Sequence, residues 1–584
     1  MLFPQTNGYR YTVQLDGLWE YRRDSEGRGA EAGWGGGFAP EGVIAVPASW
    51  NEQFASNEMR AYIGTLFYQN EFYVPAEFRE RAVRLRVGAV SFSASVCFNG
   101  EKLGDWDVAY LPFEFDVTGL VRYGEPNRLV IAVNNEQTME MINQGRTHPE
   151  AGMPPEGVRW RVPAIYQDFY PYGGIHRPVR VEILPPTHVL SIKAVPGLSE
   201  GTGTLDYAVE VAGDGYDEAS ILLLDGDDVV LEARGPAGAL QLARAQPWSP
   251  EHPHLYTLRV ELLDGGRTVD RYDLETGFRS VEVSETEVLL NGEPVFLRGF
   301  GRHEDFHLFG KGLNHSLLVK DFELMKWVGA NSFRTSHYPY AEEWMQLADR
   351  LGFMVIDEVP ACTLDVREHG EALKLAHKRS LAQMVARDRH HPSVIMWSVS
   401  NEPLTQYPEA GPYFQEMYEY TRSLDDTRPV ILVDCHGALG SDEASYVQGM
   451  FDLECINRYH GWYSYPGQLD QAMEALSRDL DEWHERTGKP IILTEFGADC
   501  VAGLHSTWDE QFTEEFQAEL IRRTIEVVES KPFGAGAHVW NFADFATAQE
   551  VRRVVGNRKG VFTRERAPKM AAHVLRRLWK QAGG

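Results

Sequence analysis

Beyond Gly277 the chain repeats one pattern eight times: a short, largely apolar run breaks abruptly into polar residues, and a helical stretch follows. The runs occupy residues 295–305, 332–337, 354–358, 393–402, 430–434, 452–459, 490–495 and 535–544. Between them, residues 341–348 place apolar side chains at i, i+3, i+4 and i+7, and Gly352 supplies a stop signal. Eight such units over residues 278–584 match the count of a (β/α)8 barrel, whose active site lies at the C-terminal ends of the strands. The polar ends of the runs are therefore where chemistry is expected.

Two of those ends deliver a glutamate. Residues 393–402 finish in Ser400-Asn401-Glu402-Pro403, and residues 490–495 in Thr494-Glu495-Phe496-Gly497. Carboxylates at the ends of the fourth and seventh strands of one barrel face the same rim, where two of them about 5 Å apart flank a glycosidic bond in the retaining geometry. Glu402 is expected to be the general acid, its pKa raised partly by the charge of Glu495, and Glu495 the nucleophile. Asn401 is placed to hydrogen-bond a sugar 2-hydroxyl, Tyr459 to orient Glu495, and His303 and His337, at the ends of the first two strands, to line the sugar site. A metal is not expected. His303, Glu304, Asp305 and His307 cluster locally, but without an H-E-x-x-H pattern or tetrahedral spacing. His390 and His391 precede the fourth strand and are assigned to packing the barrel floor.

Composition narrows the partners. With 85 acidic against 56 basic residues and a formal charge of −29, the surface is unsuited to nucleic acid, which demands a basic face. An anionic substrate would be repelled at long range as well. Yet Gly556-Asn557-Arg558-Lys559-Gly560, after the last strand, points to an acidic sugar, so that segment has to reverse the average field locally. No run approaches 18 apolar residues, so no membrane span is expected. The start carries no basic or apolar leader pattern, and a cytoplasmic protein, or one already processed, is the expectation. Five widely spaced cysteines with no C-x-x-C pair read as reduced, buried thiols.

Ahead of the barrel, residues 1–183 alternate apolar and polar side chains in short strands, with a hairpin signal at Asn99-Gly100. They read as a jelly-roll β-sandwich. Leu184-Pro185-Pro186 stiffens a junction, and residues 184–277, punctuated by Gly226 and by Gly265-Gly266, suit an immunoglobulin-like β-sandwich.

The chain as a whole resembles glycoside hydrolase family 2 and, within it, the β-glucuronidases. The resemblance is carried by Gly17-Leu18-Trp19, Gly173-Gly174-Ile175-His176-Arg177-Pro178, Arg298-Gly299-Phe300, Arg334-Thr335-Ser336-His337-Tyr338-Pro339 and Asp357-Glu358-Val359-Pro360. It implies a jelly roll, an immunoglobulin-like domain and a catalytic TIM barrel, retention through a covalent glycosyl-enzyme, an acid/base at Glu402 and a nucleophile at Glu495, and no cofactor. An Asn-x-Lys motif distinguishes glucuronidases from the family's galactosidases and mannosidases, and Asn557 and Lys559 match it. By the same resemblance Asp168, Tyr463, Trp540 and Arg553 approach the sugar, Asp168 from the jelly roll. The substrate implied is a small-molecule or oligosaccharide β-glucuronide, and a homo-oligomer, by analogy a tetramer, is implied as well.

Two departures stand out. Gln167 precedes Asp168 where relatives often carry histidine, and the stretch between Pro360 and His377 is short beside the long active-site loop of several relatives. A β-galacturonidase, or a carbohydrate-binding relative with weak catalysis, remains open on these residues.

Overall fold

The computed structural model describes residues 1–138, 140–144, 167–367, 370–437 and 444–581. Its first unit is an antiparallel sandwich. A six-stranded sheet runs in the order Gly42–Val46, Gly17–Asp24, Thr65–Tyr73, Pro126–Asn134, Ser93–Phe98, Glu101–Trp106, and a four-stranded sheet contains Ala82–Val87 and Val179–Leu184. Alternation decides which face is buried. Leu129, Ile131 and Val133 from one sheet, with Val83, Leu85 and Val87 from the other, fill the space between them. Asn99 and Gly100, at φ 52° and 89°, make the two-residue turn between Ser93–Phe98 and Glu101–Trp106, as a hairpin that needs two positive φ values requires.

The chain passes through Pro185-Pro186 into a second sandwich, where Leu205, Ile221, Leu223, Leu258, Val260 and Leu262 build a separate core. Its three-stranded sheet faces a four-stranded one, which gives the immunoglobulin-like layer arrangement. Gly226 turns one hairpin at φ 61°, and Gly265 and Gly266 turn another at 56° and 78°.

Eight parallel strands then close into a barrel in sequence order: β1 (Leu297–Gly301), β2 (Ser332–Arg334), β3 (Met354–Glu358), β4 (Val394–Asn401), β5 (Val430–Asp434), β6 (Glu454–Asn457), β7 (Ile491–Phe496) and β8 (Gly534–Trp540). Each apolar run overlaps one strand. The strands are shorter than several of the runs because the polar ends, such as residues 302–305 and 541–544, belong to the loops above the rim. Helix Glu342–Leu351 ends at Gly352, φ 73°, where a side chain would collide with the carbonyl oxygen of Pro250 at 2.2 Å.

The barrel floor is plugged from outside. Trp248, arriving from the second sandwich, and Val288 and Leu290, from a three-stranded meander, pack against the interior residues Leu297, Met354, Ile356, Met396, Ile431, Val433, Cys455 and Ile492. His391 lies at that end too, bound through Nδ1 to Asp349 at 2.5 Å, and Asp349 also accepts from the Ser393 N–H at 3.0 Å. The first sandwich docks on the opposite, C-terminal side. Arg177 donates to the Pro339 carbonyl at 2.6 Å and pairs with Glu304 at 3.3 Å; Arg564 ties Asp305 to Glu52 at 2.5 Å each; Arg86 meets Glu342 at 2.9 Å. These buried contacts hold residues 167–169 over the barrel mouth.

Trp248 is fully buried and donates its indole N–H to the Asp349 carbonyl at 2.8 Å. Trp248→Ala is therefore expected to cost about 3–5 kcal/mol through the cavity it leaves. Denaturant unfolding checks this, and a loss under about 1 kcal/mol would mean that the floor closes over the gap.

Candidate active site

Arg334, the last residue of β2, is completely buried and has four oxygens around it. Its Nη1 donates to both oxygens of Glu358 at 2.8 Å and to the Asn401 side-chain oxygen at 3.3 Å, while Nη2 donates to Glu495 Oε1. Glu358 is in turn fixed by the Ser398 hydroxyl at 2.7 Å and by His337 Nδ1 at 2.9 Å. The guanidinium holds Glu358 below the ordinary carboxylate range despite burial, and burial keeps His337 below the ordinary imidazole value. His337 Nδ1 also lies 3.2 Å from Arg334 Nη1, which places the ring between the cation and its counter-ion.

Glu495 receives a second donor, the Tyr459 hydroxyl, at 2.8 Å on Oε2. Burial raises its pKa, opposed by Arg334 and the Tyr459 hydrogen bond. Glu402 is treated differently. Among the described residues its side-chain donor is the Asn457 amide at 2.7 Å, and burial, reinforced by the charge of Glu495, pushes it up to about 7. One carboxyl faces a cation and a phenol, the other a neutral amide; this asymmetry favours the ionised form more at Glu495 than at Glu402. Glu402 also sits at φ 46°, a left-handed conformation costly for a residue with a side chain. Its N–H is held by the Val433 carbonyl at 2.8 Å.

Above this pair, Trp540 at the end of β8 stacks on His337 with ring centres 5.0 Å apart, and Phe169 from the first sandwich lies 4.9 Å from the His303 ring. His303 binds the Tyr338 hydroxyl through Nδ1 at 3.1 Å. Its neighbours disperse: Glu304 turns to Arg177, Asp305 to Arg564 and Tyr172, and His307 lies 4.0 Å from Glu565.

A second polar cluster lies beside the first. Lys559, 1% exposed, places Nζ 2.7 Å from Asp499 and 3.0 Å from the Tyr463 hydroxyl. Arg553 donates to Asp168 through Nε and Nη2 at 2.8 and 2.7 Å, to Asp499 at 3.1 Å and to Tyr463 at 3.0 Å. The Asn557 amide donates to Asp168 at 2.7 Å, and its oxygen accepts from the Lys559 N–H at 2.9 Å, which locks the Asn-x-Lys turn. Gly560 leaves no alternative at the next position, since a β-carbon would lie 2.1 Å from the Asp544 nitrogen. Gln517 clamps this turn to the loop after β7, donating to the carbonyls of Ala498, Lys559 and Gly560 at 3.0–3.2 Å. The clusters meet at Tyr459 and Tyr463, whose rings are 5.1 Å apart.

All the residues singled out from sequence, Glu402, Glu495, Asp168, His337, Asn401, Tyr459, Tyr463, Trp540, Arg553, Asn557 and Lys559, belong to one or other of these adjoining clusters. Missed were Arg334, Glu358, Asn457 and Asp499. Arg334, Glu358 and Asn457 each stand at the end of a barrel strand, and Asp499 stands four residues beyond Glu495, so position was the available signal. Gln167 takes no part in the hydrogen bonds of either cluster; its amide donates to the Gln144 carbonyl at 3.3 Å, and Gln144 in turn meets the Asp365 backbone of the barrel. The connection after β3 leads from Cys362 to Arg367, with Asp365 held by Gln144 at 2.9 Å, and helix Gly370–Asp388 follows; residues 368 and 369 lie outside the described residues.

Comparison with known proteins identifies the family. Profiles described as Glycosyl hydrolases family 2, TIM barrel domain, as its sugar binding domain, and as Glycosyl hydrolases family 2 match residues 281–582, 12–185 and 187–279. A beta-glucuronidase of Paenibacillus borealis is 39% identical over 100% of this chain and 99% of its own length, and that of Homo sapiens is 37% identical over 100% and 93%. Among solved structures, a beta-glucuronidase from an uncultured Clostridium superposes with a TM-score of 0.93 at 36% identity over 100% of both chains. The Ruminococcus gnavus enzyme in complex with D-glucuronic acid gives 0.91 at 36% over 99% of each. With the barrel profile covering more than half of its length and full-length relatives above a third identical, the chain belongs to glycosyl hydrolase family 2.

Proposed function

We propose that the chain is a retaining β-glucuronidase in which Glu495 is the nucleophile and Glu402 the acid/base. The observation that carries this reading is the pairing of two unlike carboxyls with a buried amide-and-ammonium clamp at one barrel mouth. Glu495, held by Arg334 and Tyr459, attacks the anomeric carbon as a carboxylate. Glu402 gives its proton to the leaving oxygen, the aglycone departs, and the glycosyl-enzyme ester forms. Glu402, now ionised, takes a proton from water, which attacks the ester and returns the sugar with its original configuration. Asn401, its amide oxygen accepting from Arg334, turns its amide nitrogen to the 2-hydroxyl. His337 and Trp540 form an aromatic wall, and Asn557, Lys559 and Arg553 take the C6 carboxylate. That several relatives bear the name beta-glucuronidase, one with D-glucuronic acid bound, supports a uronide as substrate. No helix among the described residues is long and apolar enough to cross a membrane. A cytoplasmic setting is part of the proposal, supported by five free cysteines.

Glu495→Ala is expected to abolish turnover with folding preserved. Azide, occupying the vacated space, is expected to restore reaction with inversion, giving the α-glycosyl azide. Wild-type rates in the purified variant would remove Glu495 from the mechanism.

The pH profile carries a sign. An acid poised near 7 is protonated below that pH and ionised above it, so kcat/KM is expected to fall as pH rises through about 7. In Glu402→Gln the slowing is expected to be about 10²- to 10⁴-fold for alkyl aglycones, with first-step attack on nitrophenyl glucuronide largely spared and its alkaline limb gone. An unchanged limb in that variant would assign the titration to another group.

Truncating the clamp tests the substrate class. Lys559→Ala leaves a uronate carboxylate underpaired, at a cost of about 2–5 kcal/mol, whereas a glucoside loses nothing comparable. The kcat/KM ratio of nitrophenyl glucuronide to glucoside is expected to fall about 30-fold or more, with the galacturonide assayed alongside. Equal losses on both substrates would make Lys559 a structural residue.

A further inference from the structure

Charges in the clamp are already matched before any substrate arrives. Arg553 and Lys559 are its two cations, and Asp168 and Asp499 lie directly on them at 2.7–3.1 Å. Glu550 stands farther off, 3.5 Å from Arg553, and is shared with Arg552 at 3.3 Å. A uronate carboxylate placed on Asn557, Lys559 and Arg553 would be a third acid on two cations whose own side chains are buried. One of the resident carboxylates therefore has to yield.

The two residents are held very differently. Asp499 is 2% exposed and fastened by Lys559, by Arg553 and by the Arg558 backbone N–H at 2.8 Å, on the loop directly after the nucleophile strand. Asp168 keeps 38% of its side chain exposed, comes from the other domain, and takes its hydrogen bonds from the Arg553 fork and the Asn557 amide. The Asn557 amide is half of the motif assigned to the substrate carboxylate. Asp168 thus presents a carboxylate to the same planar donors, in the same bidentate manner, that a sugar acid would use.

We infer that Asp168 is a built-in stand-in for the substrate: in the empty enzyme its carboxylate occupies the uronate clamp, and the C6 carboxylate binds by displacing it while Asp499 stays. The inference rests on the assignment of Asn557, Lys559 and Arg553 to the uronate. It makes Asp168 a specificity-determining residue. A ligand lacking a carboxylate offers nothing to exchange and leaves the clamp closed, and a ligand carrying one meets an apparent affinity reduced by the fraction of time that Asp168 is in place. Once released, Asp168 is free to turn both oxygens to ring hydroxyls.

Propionate, a carboxylate without ring hydroxyls, isolates the exchange. Its competitive inhibition of nitrophenyl glucuronide hydrolysis is compared for wild type, Asp168→Asn and Asp499→Asn, with the propionate-induced shift in melting temperature as the readout if turnover is too slow. Occupancy of the clamp by Asp168 for nine-tenths of the time or more corresponds to a fall in Ki of about 10-fold or more in Asp168→Asn. Asp499→Asn, which removes the same charge without clearing the clamp, is expected to change Ki by less than about 3-fold. An unchanged Ki in Asp168→Asn overturns the inference, and so does an equal gain in the two variants, which would reduce the effect to ordinary charge removal. If Lys559→Ala retains both wild-type propionate inhibition and the wild-type preference for uronide, the clamp assignment itself has failed, a result that is recognised without any Asp168 variant.

Discussion

The reacting centre hangs on one buried cation. Arg334 has no solvent contact, and a guanidinium so placed is tolerable only with carboxylates against it; stripped of them it would cost several kcal/mol. Glu358 neutralises it and fixes its orientation, leaving the second arm aimed at Glu495. The charge state of the pair follows. Glu495 shares a cation and can stay ionised when buried, while Glu402, with an amide for a neighbour and the charge of Glu495 close by, holds a proton near neutrality. Arg334, Glu358 and Glu495 stand at the ends of β2, β3 and β7, so the closed barrel sets their spacing and the loops do not.

The sandwich over the barrel mouth is structural and chemical at once. Buried ion pairs along the seam, Arg177 with Glu304 and Arg564 with Asp305 and Glu52, leave either side badly off without the other, because each would expose an unpaired charge in a poorly solvated crevice. What the seam delivers is the 167–169 segment: Phe169 over His303, and Asp168 on Arg553. The clamp is consequently a joint product of two domains, while Glu402 and Glu495, the proposed acid and nucleophile, belong to the barrel alone.

Much of this was legible from the chain because barrel chemistry is written locally. An apolar run that ends in a polar residue names both a strand and its rim position, which is how Glu402, Glu495 and Tyr459 could be placed together before any coordinates. Arg334 was passed over for an equally physical reason. Its partners lie 24 and 161 residues away, and a lone arginine after Asn331-Ser332-Phe333 looks the same whether it faces solvent or bridges two acids. Asp499 escaped notice because its meaning depends on Lys559, 60 positions later. Gln167, the departure beside Asp168, hydrogen-bonds the Gln144 carbonyl and takes no part in the pairing of Asp168 with Arg553 and Asn557.

The net charge of −29 made recognition of an anion look paradoxical, and the clamp resolves it in an unexpected way. A patch of bare cations strong enough to overturn the field would itself be unstable at the burial seen for Lys559 and Arg553. The chain instead ties both to its own carboxylates, so that the burial cost is met during folding. Under the proposed exchange, affinity for a substrate carboxylate is the difference between two ion pairings of similar strength, and the full Coulomb attraction is never realised. Such a site gains little from binding an anion as such. It discriminates through the cost of leaving its donors poorly matched, so selectivity follows from how well a ligand reproduces the fork of Arg553 and the amide of Asn557.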